Sequence, residues 1–204
     1  QLMSTYQQLY PADSSERCLN ATLWYDSLQV RRIRFMDSLT ALYPDLYAVR
    51  IMNAFRSPFT PGSLSHQDRI DTLKKIFFDH AMIDDPLLLN APVYSFKIVD
   101  YLSLYKVDTF SMQEQQSSFM VAVDGIMEHV SADPEVQSFV VNFLWEVFEL
   151  LGMKGVQDYL AENYMAESCE SELAALVRQR MEGYERMTPG HLAPDFVIRD
   201  VEGK

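Results

Sequence analysis

The segment that follows Asp133 and Pro134 constrains the fold more than any other stretch of this sequence. Asp133 is a preferred helix N-cap and Pro134 suits the first helical position, so a helix is predicted over residues 135–151, ended by Gly152. Its polar residues form one narrow stripe: Ser138, Asn142, Glu146 and Glu149. Apolar residues cover most of the remaining circumference: Val136, Phe139, Val140, Phe143, Leu144, Val147, Phe148 and Leu151. A helix this apolar is predicted at the centre of a bundle.

The first quarter of the sequence also has helical periodicity. A short helix is predicted over residues 1–10, and a further helix start at residues 13–16. Apolar residues then recur at helical spacing until Pro44: Trp24, Leu28, Phe35, Leu39 and Leu42. A helix over residues 45–56 is predicted to turn four side chains inward: Leu46, Val49, Ile51 and Met52.

Loops and capping residues divide the middle of the chain into shorter helices. Residues 57–62 are rich in Pro and Gly and are predicted to form a loop. Ser65 and Asp68 resemble a capping pair at the start of a helix to about residue 78. The apolar stripe of that helix is Ile70, Leu73 and Phe77. One helical turn is predicted at residues 87–89.

Two longer helices are predicted next. The first follows Pro92 and carries the apolar residues Tyr94, Ile98, Tyr101, Leu102 and Tyr105. Ser111 and Glu114 form a capping box for the second. Its apolar residues are Phe119, Val123, Ile126, Met127 and Val130.

Two helices are predicted beyond Gly152, over residues 155–165 and 170–187. The fold class is therefore all-α, a multi-helix bundle of seven to nine helices with a short C-terminal extended segment. Superhelical hairpins are an alternative arrangement of the same helices. The spacing of helix starts is irregular, however, and no known repeat signature is present.

The charge balance disfavours several functions. The chain has 17 Lys and Arg against 29 Asp and Glu, a net charge of −12, which repels phosphate backbones and predicts no nucleic-acid binding. No apolar stretch reaches the length of a membrane span. Arg31, Arg32 and Arg34 form one basic cluster, interpreted as a solvated face partly ion-paired with Asp26 and Asp37.

No catalytic, cofactor or metal residue is predicted. The four histidines, His66, His80, His129 and His191, lack the spacing of helical metal ligands. His80 lies near Asp79, Asp84 and Asp85, which we interpret as a polar helix end. Cys18 and Cys169 are interpreted as two unpaired, partly buried thiols, and a bridge between them is left open. The 11 Met are scattered along the sequence, and we interpret them as residues that fill gaps in the core. The alternative is an adaptable groove for peptide-like partners.

The end of the sequence differs from everything before it. Pro194 favours an extended chain, residues 196–198 are β-prone, and Gly203 suits a turn, so a strand is predicted to enter a hairpin. This stretch resembles the first strand and hairpin of TlpA-like and peroxiredoxin-like members of the thioredoxin superfamily, through Ala193-Pro194-Asp195-Phe196, Asp200 and Gly203-Lys204. The resemblance implies a helical accessory domain at residues 1–188, and a linker with the truncated start of a thioredoxin-like domain at residues 189–204.

A second resemblance agrees with the first in order along the chain. Residues 77–79, 85–88, 91–93 and 97–102 are similar to an uncharacterised helical domain that precedes a TlpA-like domain in envelope proteins of Gram-negative gut anaerobes. The resemblance implies a periplasmic or cell-envelope location, with a lipid anchor as one form of attachment. It assigns no chemistry to individual residues.

These resemblances imply two functions. The first is an accessory domain, presenting substrates to or positioning the catalytic domain of an exported thiol–disulfide oxidoreductase. Its redox Cys-x-x-Cys would lie in a downstream thioredoxin-like domain, because Cys18 and Cys169 are the only cysteines here. The alternative is a non-catalytic scaffold that binds peptides or proteins in the cell envelope. Either way the chain itself is expected to be no enzyme, with the downstream domain and client proteins or peptides as partners.

Overall fold

The computed structural model describes residues 16–81, 83–130 and 132–165. Over these ranges the chain is all-α, which confirms the predicted helical bundle. Seven α-helices are formed here: α1 Glu16–Leu42, α2 Tyr47–Ala54, α3 His66–Ile76, α4 Val93–Ser103, α5 Met112–Val130, α6 Pro134–Leu150 and α7 Lys154–Leu160. A 3₁₀ turn spans Pro86–Asn90, and a π-helical turn spans Ala161–Met165.

Several predicted features lie outside the described residues. They are the helix over residues 1–10, the helix over residues 170–187, the domain boundary at residue 188, and the extended segment at residues 189–204. Cys169 and His191 also lie outside the described residues, so a disulfide between Cys18 and Cys169 stays an open alternative.

The chain divides into two compact units, residues 1–157 and 158–204, with the division inside α7. In the described part of the second unit, the rings of Tyr159 and Tyr164 lie 6.4 Å apart. The Asn163 side chain donates to the backbone carbonyl of Tyr159 at 2.9 Å.

The core of the first unit is built by α4, α5 and α6 with the 3₁₀ turn. Each helix buries one apolar face, and the rings of Phe119 in α5 and Phe148 in α6 approach to 5.6 Å. The inner face of α6 consists of Val136, Val140, Val141, Leu144, Trp145 and Phe148. The apolar residues predicted for α4 and α5 are all buried. Within the described ranges, no helix is both long and apolar enough to cross a membrane.

Capping residues fix the helix starts as predicted. The Asp133 side chain accepts from the backbone N–H groups of Glu135 and Val136 at 2.9 and 3.1 Å. Ser111 and Glu114 form the reciprocal box, and the hydrogen bonds that Glu114 accepts from Ser111 lower the pKa of its carboxyl. Satisfying these end groups allows the chain to begin each helix immediately after a loop.

The inward faces of two helices differ from prediction. Leu46 is exposed because it is the N-cap of α2, one residue before the helix, and the buried face of α2 is Val49, Asn53 and Ala54. Leu151 is also exposed, since it follows α6 as its C-cap, just before Gly152 turns the chain with φ +67°.

Candidate functional site

The apolar stripe of α1 faces solvent. Trp24 is 66% exposed, Phe35 61% and Leu42 68%, while Leu28 is 39% exposed. Residues four and seven apart lie on the same side of a helix, so these side chains form one line along α1. From Trp24 to Leu42 the line is roughly 27 Å long at 1.5 Å per residue. Leu39, the fifth residue of the predicted series, is half-buried, and we call the other four the α1 stripe.

A different face of α1 holds the helix on the domain. Gln29 and Met36 are its buried residues, and α1 packs on α2. The Thr40 hydroxyl lies 3.1 Å from the side-chain oxygen of Asn53 in α2. An apolar stripe at helical spacing ordinarily marks the core face. In α1 the buried face instead combines Met36 with the polar Gln29 and lies away from that stripe.

Polar contacts with the loop over residues 57–62 explain this choice of face. The Gln29 side chain donates to the Thr60 carbonyl at 2.8 Å and accepts from the Thr60 N–H at 3.1 Å. Asp26 accepts from the backbone N–H of Gly62 at 2.7 Å. A β-carbon on Gly62 would approach the Thr22 methyl to 2.9 Å, so the close approach of loop and helix requires glycine.

The basic cluster on α1 is solvated as predicted, but its predicted ion pairs are absent. Asp37 pairs with Arg56, and Asp26 is used by the loop. Arg31 and Arg34 form no ion pair with any side chain in the described ranges. Arg31 and Arg32 each lie one helical turn from two members of the α1 stripe, Leu28 and Phe35. Arg31, seven residues after Trp24 and four before Phe35, lies within the line itself, and Arg32 lies beside it.

A cleft of about 770 Å³ opens on the same side of the domain, and Leu28 belongs to both features. Its walls come from α1, the 57–62 loop, α3 and the end of α4. Its cationic lining residues are Arg32, Arg69 and Lys106. His66 also lines it, and no Asp or Glu is among the described lining residues. We call it the α1–α3 cleft.

Arg69 forms the floor of the cleft. Its guanidinium donates to the Tyr25 hydroxyl at 3.2 Å and to the carbonyls of Pro61 and Gly62 at 3.4 Å each. It also lies 5.3 Å from the centre of the Tyr25 ring. Arg32 adds a hydrogen bond to the Ser57 carbonyl at 3.0 Å. These contacts join α1, α3 and the loop into a preformed wall.

Lys97 lies behind the cleft and is only 3% exposed. Its ammonium donates to the Arg56 carbonyl and lies 4.6 Å from the centre of the Phe77 ring. Burial lowers the pKa of Lys97 to about 8, an effect to which Arg32 adds and which Asp100 opposes. Because the amine is buried and hydrogen-bonded, we assign it a structural role.

The described histidines do not gather with carboxylates. No three His, Cys, Asp or Glu side chains are placed to share a metal ion within the described ranges. His80, Asp79 and Asp84 are exposed, while Asp85 pairs with Arg50 at 2.9 Å and caps the 3₁₀ turn. The His129 ring packs 5.0 Å from that of Phe78.

Sequence reasoning missed the polar residues that organise this region, although one signal was present. Arg69 precedes the apolar residue Leu73 by four positions, and Lys97 lies three after Tyr94 and four before Tyr101. These spacings place both cations on the buried faces of their helices. Gln29 carried no such signal, because its partner Thr60 is distant in the sequence.

Comparison with known protein families, with curated proteins and with solved structures gives no match to this chain. The class of protein is therefore defined by the geometry. It is a helical domain with a solvent-facing apolar stripe beside a cationic cleft. The thioredoxin-superfamily resemblance of residues 193–204 stays a prediction.

Proposed function

We propose that this helical domain binds a partner polypeptide through the α1 stripe. The observation that carries the proposal is the exposure of Trp24, Phe35 and Leu42 along one side of a single helix. Contiguous apolar surface rimmed by polar groups is typical of protein interaction sites. Large aromatic side chains supply most of the binding energy at such sites.

The partner favoured by this surface is an amphipathic helical segment with acidic flanks. The stripe offers apolar contacts in one line, which suits a partner helix with anchors at i, i+4 and i+7. Arg31 lies within the stripe and Arg32 beside it, so acidic residues next to the partner's apolar anchors would meet positive charge. Charge complementarity of this kind speeds association and selects the partner.

A role in thiol–disulfide exchange is the biological setting we propose for this binding. The support is the resemblance of residues 193–204 to the start of a thioredoxin-like domain. In that domain, one thiol of the dithiol would attack the disulfide of a client held by α1 and form a mixed disulfide. The second thiol would then resolve the mixed disulfide and release the reduced client. The proposed location is the periplasm or the cell envelope. A scaffold without redox chemistry is the second candidate, and the α1 stripe supports it equally.

Two synthetic peptides test the docking proposal. Both carry Leu and Phe at i, i+4, i+7 and i+11 of a helical sequence, one flanked by Glu and the other by Lys. We expect the Glu peptide to bind at least about tenfold more tightly at low salt, a difference of roughly 1.4 kcal/mol. Titrations are followed by backbone amide shifts in NMR, which locate the contact.

Matched variants distinguish binding at the α1 stripe from non-specific hydrophobic binding. Phe35→Glu is expected to abolish binding of the Glu peptide, since it places a like charge in the contact. Val121→Glu makes the same kind of change at an exposed position of α5 and is expected to leave binding unchanged. Equal affinity for the two peptides, or binding insensitive to Phe35→Glu, would contradict the proposal. Concentration-dependent dimerisation lost in Phe35→Glu would instead identify a second copy as the occupant.

The redox setting has its own test. In a polypeptide that joins this region to a thioredoxin-like domain, Phe35→Glu is expected to raise KM for a protein disulfide. Turnover of a small aromatic disulfide should stay the same, because it needs no docking. If both substrates respond equally, or neither responds, the accessory role is wrong even where peptide binding is intact.

A further inference from the structure

The α1–α3 cleft has a charge opposite to that of the chain around it. The whole chain carries −12, yet the described residues lining the cleft include Arg32, Arg69 and Lys106 and no carboxylate. Cations grouped in a concave, partly apolar surface focus a positive potential there. The cleft therefore favours an anion at a place where the rest of the surface repels one.

Two of these cations retain donors that a ligand can reach. Arg32 is exposed and donates one hydrogen bond, to the Ser57 carbonyl, whereas a guanidinium carries five N–H donors. Lys106 is also exposed, and its ion pair with Asp108 at 3.1 Å joins two largely solvated side chains. Such a pair contributes little and yields readily to a better acceptor.

Much of the remaining wall of the cleft is apolar, beside polar residues such as Ser57 and Ser103. Leu28, Ile70, Leu73, Phe77 and Leu104 line it. Its volume of about 770 Å³ is within the range of small-molecule sites. A simple inorganic anion would leave these walls without a contact. An apolar body with one anionic end would fill the volume and meet Arg32 and Lys106 together.

We propose that the α1–α3 cleft binds a monocarboxylate with an apolar body, its carboxylate held by Arg32 and Lys106 and its body packed against Leu28, Leu73 and Phe77. Planar carboxylates match the guanidinium fork and can accept two parallel hydrogen bonds from it. A fatty acid and the carboxy terminus of an apolar peptide share this chemistry. The cleft shares Leu28 and Arg32 with the region of the α1 stripe, but binding there requires no partner helix.

The surrounding charges agree with this assignment. The charge of Arg32 reaches the buried Lys97 ammonium and helps to lower its pKa. Each positive charge disfavours the other, and an anion placed near them stabilises the charged forms of both. Binding of a carboxylate should therefore raise the pKa of Lys97, a change that purely apolar binding would not produce.

Four probes test the proposal and identify the source of the carboxylate. They are octanoate, octanol, N-acetyl-Leu-Phe with a free carboxylate, and the carboxamide of the same dipeptide. Octanoate, the dipeptide acid or both are expected to shift the backbone amides of Thr60, Ile70 and Lys106, and the neutral probes to bind at least about tenfold more weakly, or 1.4 kcal/mol. Octanoate alone would indicate a fatty acid, and the dipeptide alone a peptide terminus.

Charge-removing variants provide the second arm. Arg32→Gln is expected to weaken binding of the preferred acid at least about tenfold, as for loss of a charge-assisted hydrogen bond. Lys106→Gln is expected to weaken it less, roughly twofold to fivefold, since a flexible ammonium is a point charge. Arg34→Gln removes the same charge from α1 at an exposed position that does not line the cleft, and should have no effect.

Any of four outcomes would overturn the proposal. The first is that neither acid shifts the cleft amides at about 10 mM, well above weak millimolar binding. The second is equal affinity for the acids and the neutral probes, and the third is equal loss of affinity in Arg34→Gln and Arg32→Gln. Shifts confined to Trp24 and Leu42 would also overturn it, since they would place the ligand on the stripe.

Discussion

Helices α1 and α6 are both long and rich in large apolar residues, yet they use them in opposite ways. In α6 the residues Leu144, Trp145 and Phe148 are almost completely buried. In α1 the residues Trp24, Phe35 and Leu42 are mostly exposed. Composition alone therefore does not decide which helix forms a core. The neighbours available on each side decide it.

The neighbours of the two helices differ in chemistry. α6 packs on α5, α4 and the 3₁₀ turn, whose contact surfaces are apolar. α1 packs on α2 and on the 57–62 loop, whose buried backbone N–H and C=O groups require hydrogen-bonding partners. Gln29 and Asp26 satisfy those groups, and turning them inward rotates the α1 stripe outward. Retaining four large apolar residues at that position makes sense if a partner covers them.

A matched pair of leucine substitutions is the strongest test of this difference between α1 and α6. Leu144→Ala removes a fully buried side chain of α6 and is expected to lower the free energy of unfolding by about 3–4 kcal/mol. Leu42→Ala, on the stripe, is expected to change it by less than about 0.5 kcal/mol. Urea unfolding followed by circular dichroism measures both. Similar losses in the two variants would show that the stripe is covered.

Loss of the hydrogen bonds from Gln29 that orient α1 is expected to have the next largest effect on the free energy of unfolding. Gln29→Leu leaves the buried N–H and C=O of Thr60 without their side-chain partners and is expected to cost about 2 kcal/mol. Gln67→Leu, an exposed change on α3, is the control and is expected to be nearly neutral. If Gln29→Leu stabilised the chain, apolar packing rather than hydrogen bonding would orient α1.

The lowered pKa of Lys97, which lies between the core and the cleft, predicts that the free energy of unfolding depends on pH. Its folded pKa of about 8 is below its ordinary value of 10.5, so between these values the unfolded chain holds a proton that the folded chain has released. Stability therefore rises with pH in this window, by about 1–2 kcal/mol from pH 8 to 9.5. The penalty of the buried charge is complete and constant only well below pH 8, where Lys97 is protonated in both the folded and the unfolded chain.

The measurement is urea unfolding of the wild type and Lys97→Met across that window. The variant is expected to lose the rise, and a rise of the same size in both would assign it to another group. The range stops at pH 9.5 because burial raises the pKa of Tyr94 and Tyr101. Unfolded tyrosine ionises near pH 10 while the folded residues keep their protons, so above that pH stability falls.

The sequence predicts local features of this fold well, because their causes are local. Asp133, Ser111 and Ser65 cap helices through backbone groups within three residues, and Gly152 ends α6 by a conformation that glycine favours. These signals require no knowledge of the rest of the molecule.

Features that depend on distant contacts were not predictable. The orientation of α1 is set by Thr60, and the loss of the expected intrahelical pairs is set by Arg56, which takes Asp37. The α1–α3 cleft joins Tyr25 to Lys106, so no local spacing indicates it. Burial of Trp145 and exposure of Leu151 likewise depend on where α6 meets its neighbours and where it ends.

The two tryptophans of the chain test the central claim most directly, since Trp24 lies on the α1 stripe and Trp145 in α6. Acrylamide quenching of Trp145→Phe reports on Trp24 alone, and quenching of Trp24→Phe reports on Trp145 alone. Trp145→Phe sacrifices no hydrogen bond, because the Trp145 indole N–H has no partner among the described residues. We expect red-shifted emission and several-fold stronger quenching for Trp24, reduced on addition of the Glu-flanked peptide. Blue-shifted emission from Trp24, protected as well as that of Trp145, would contradict a surface open to a partner.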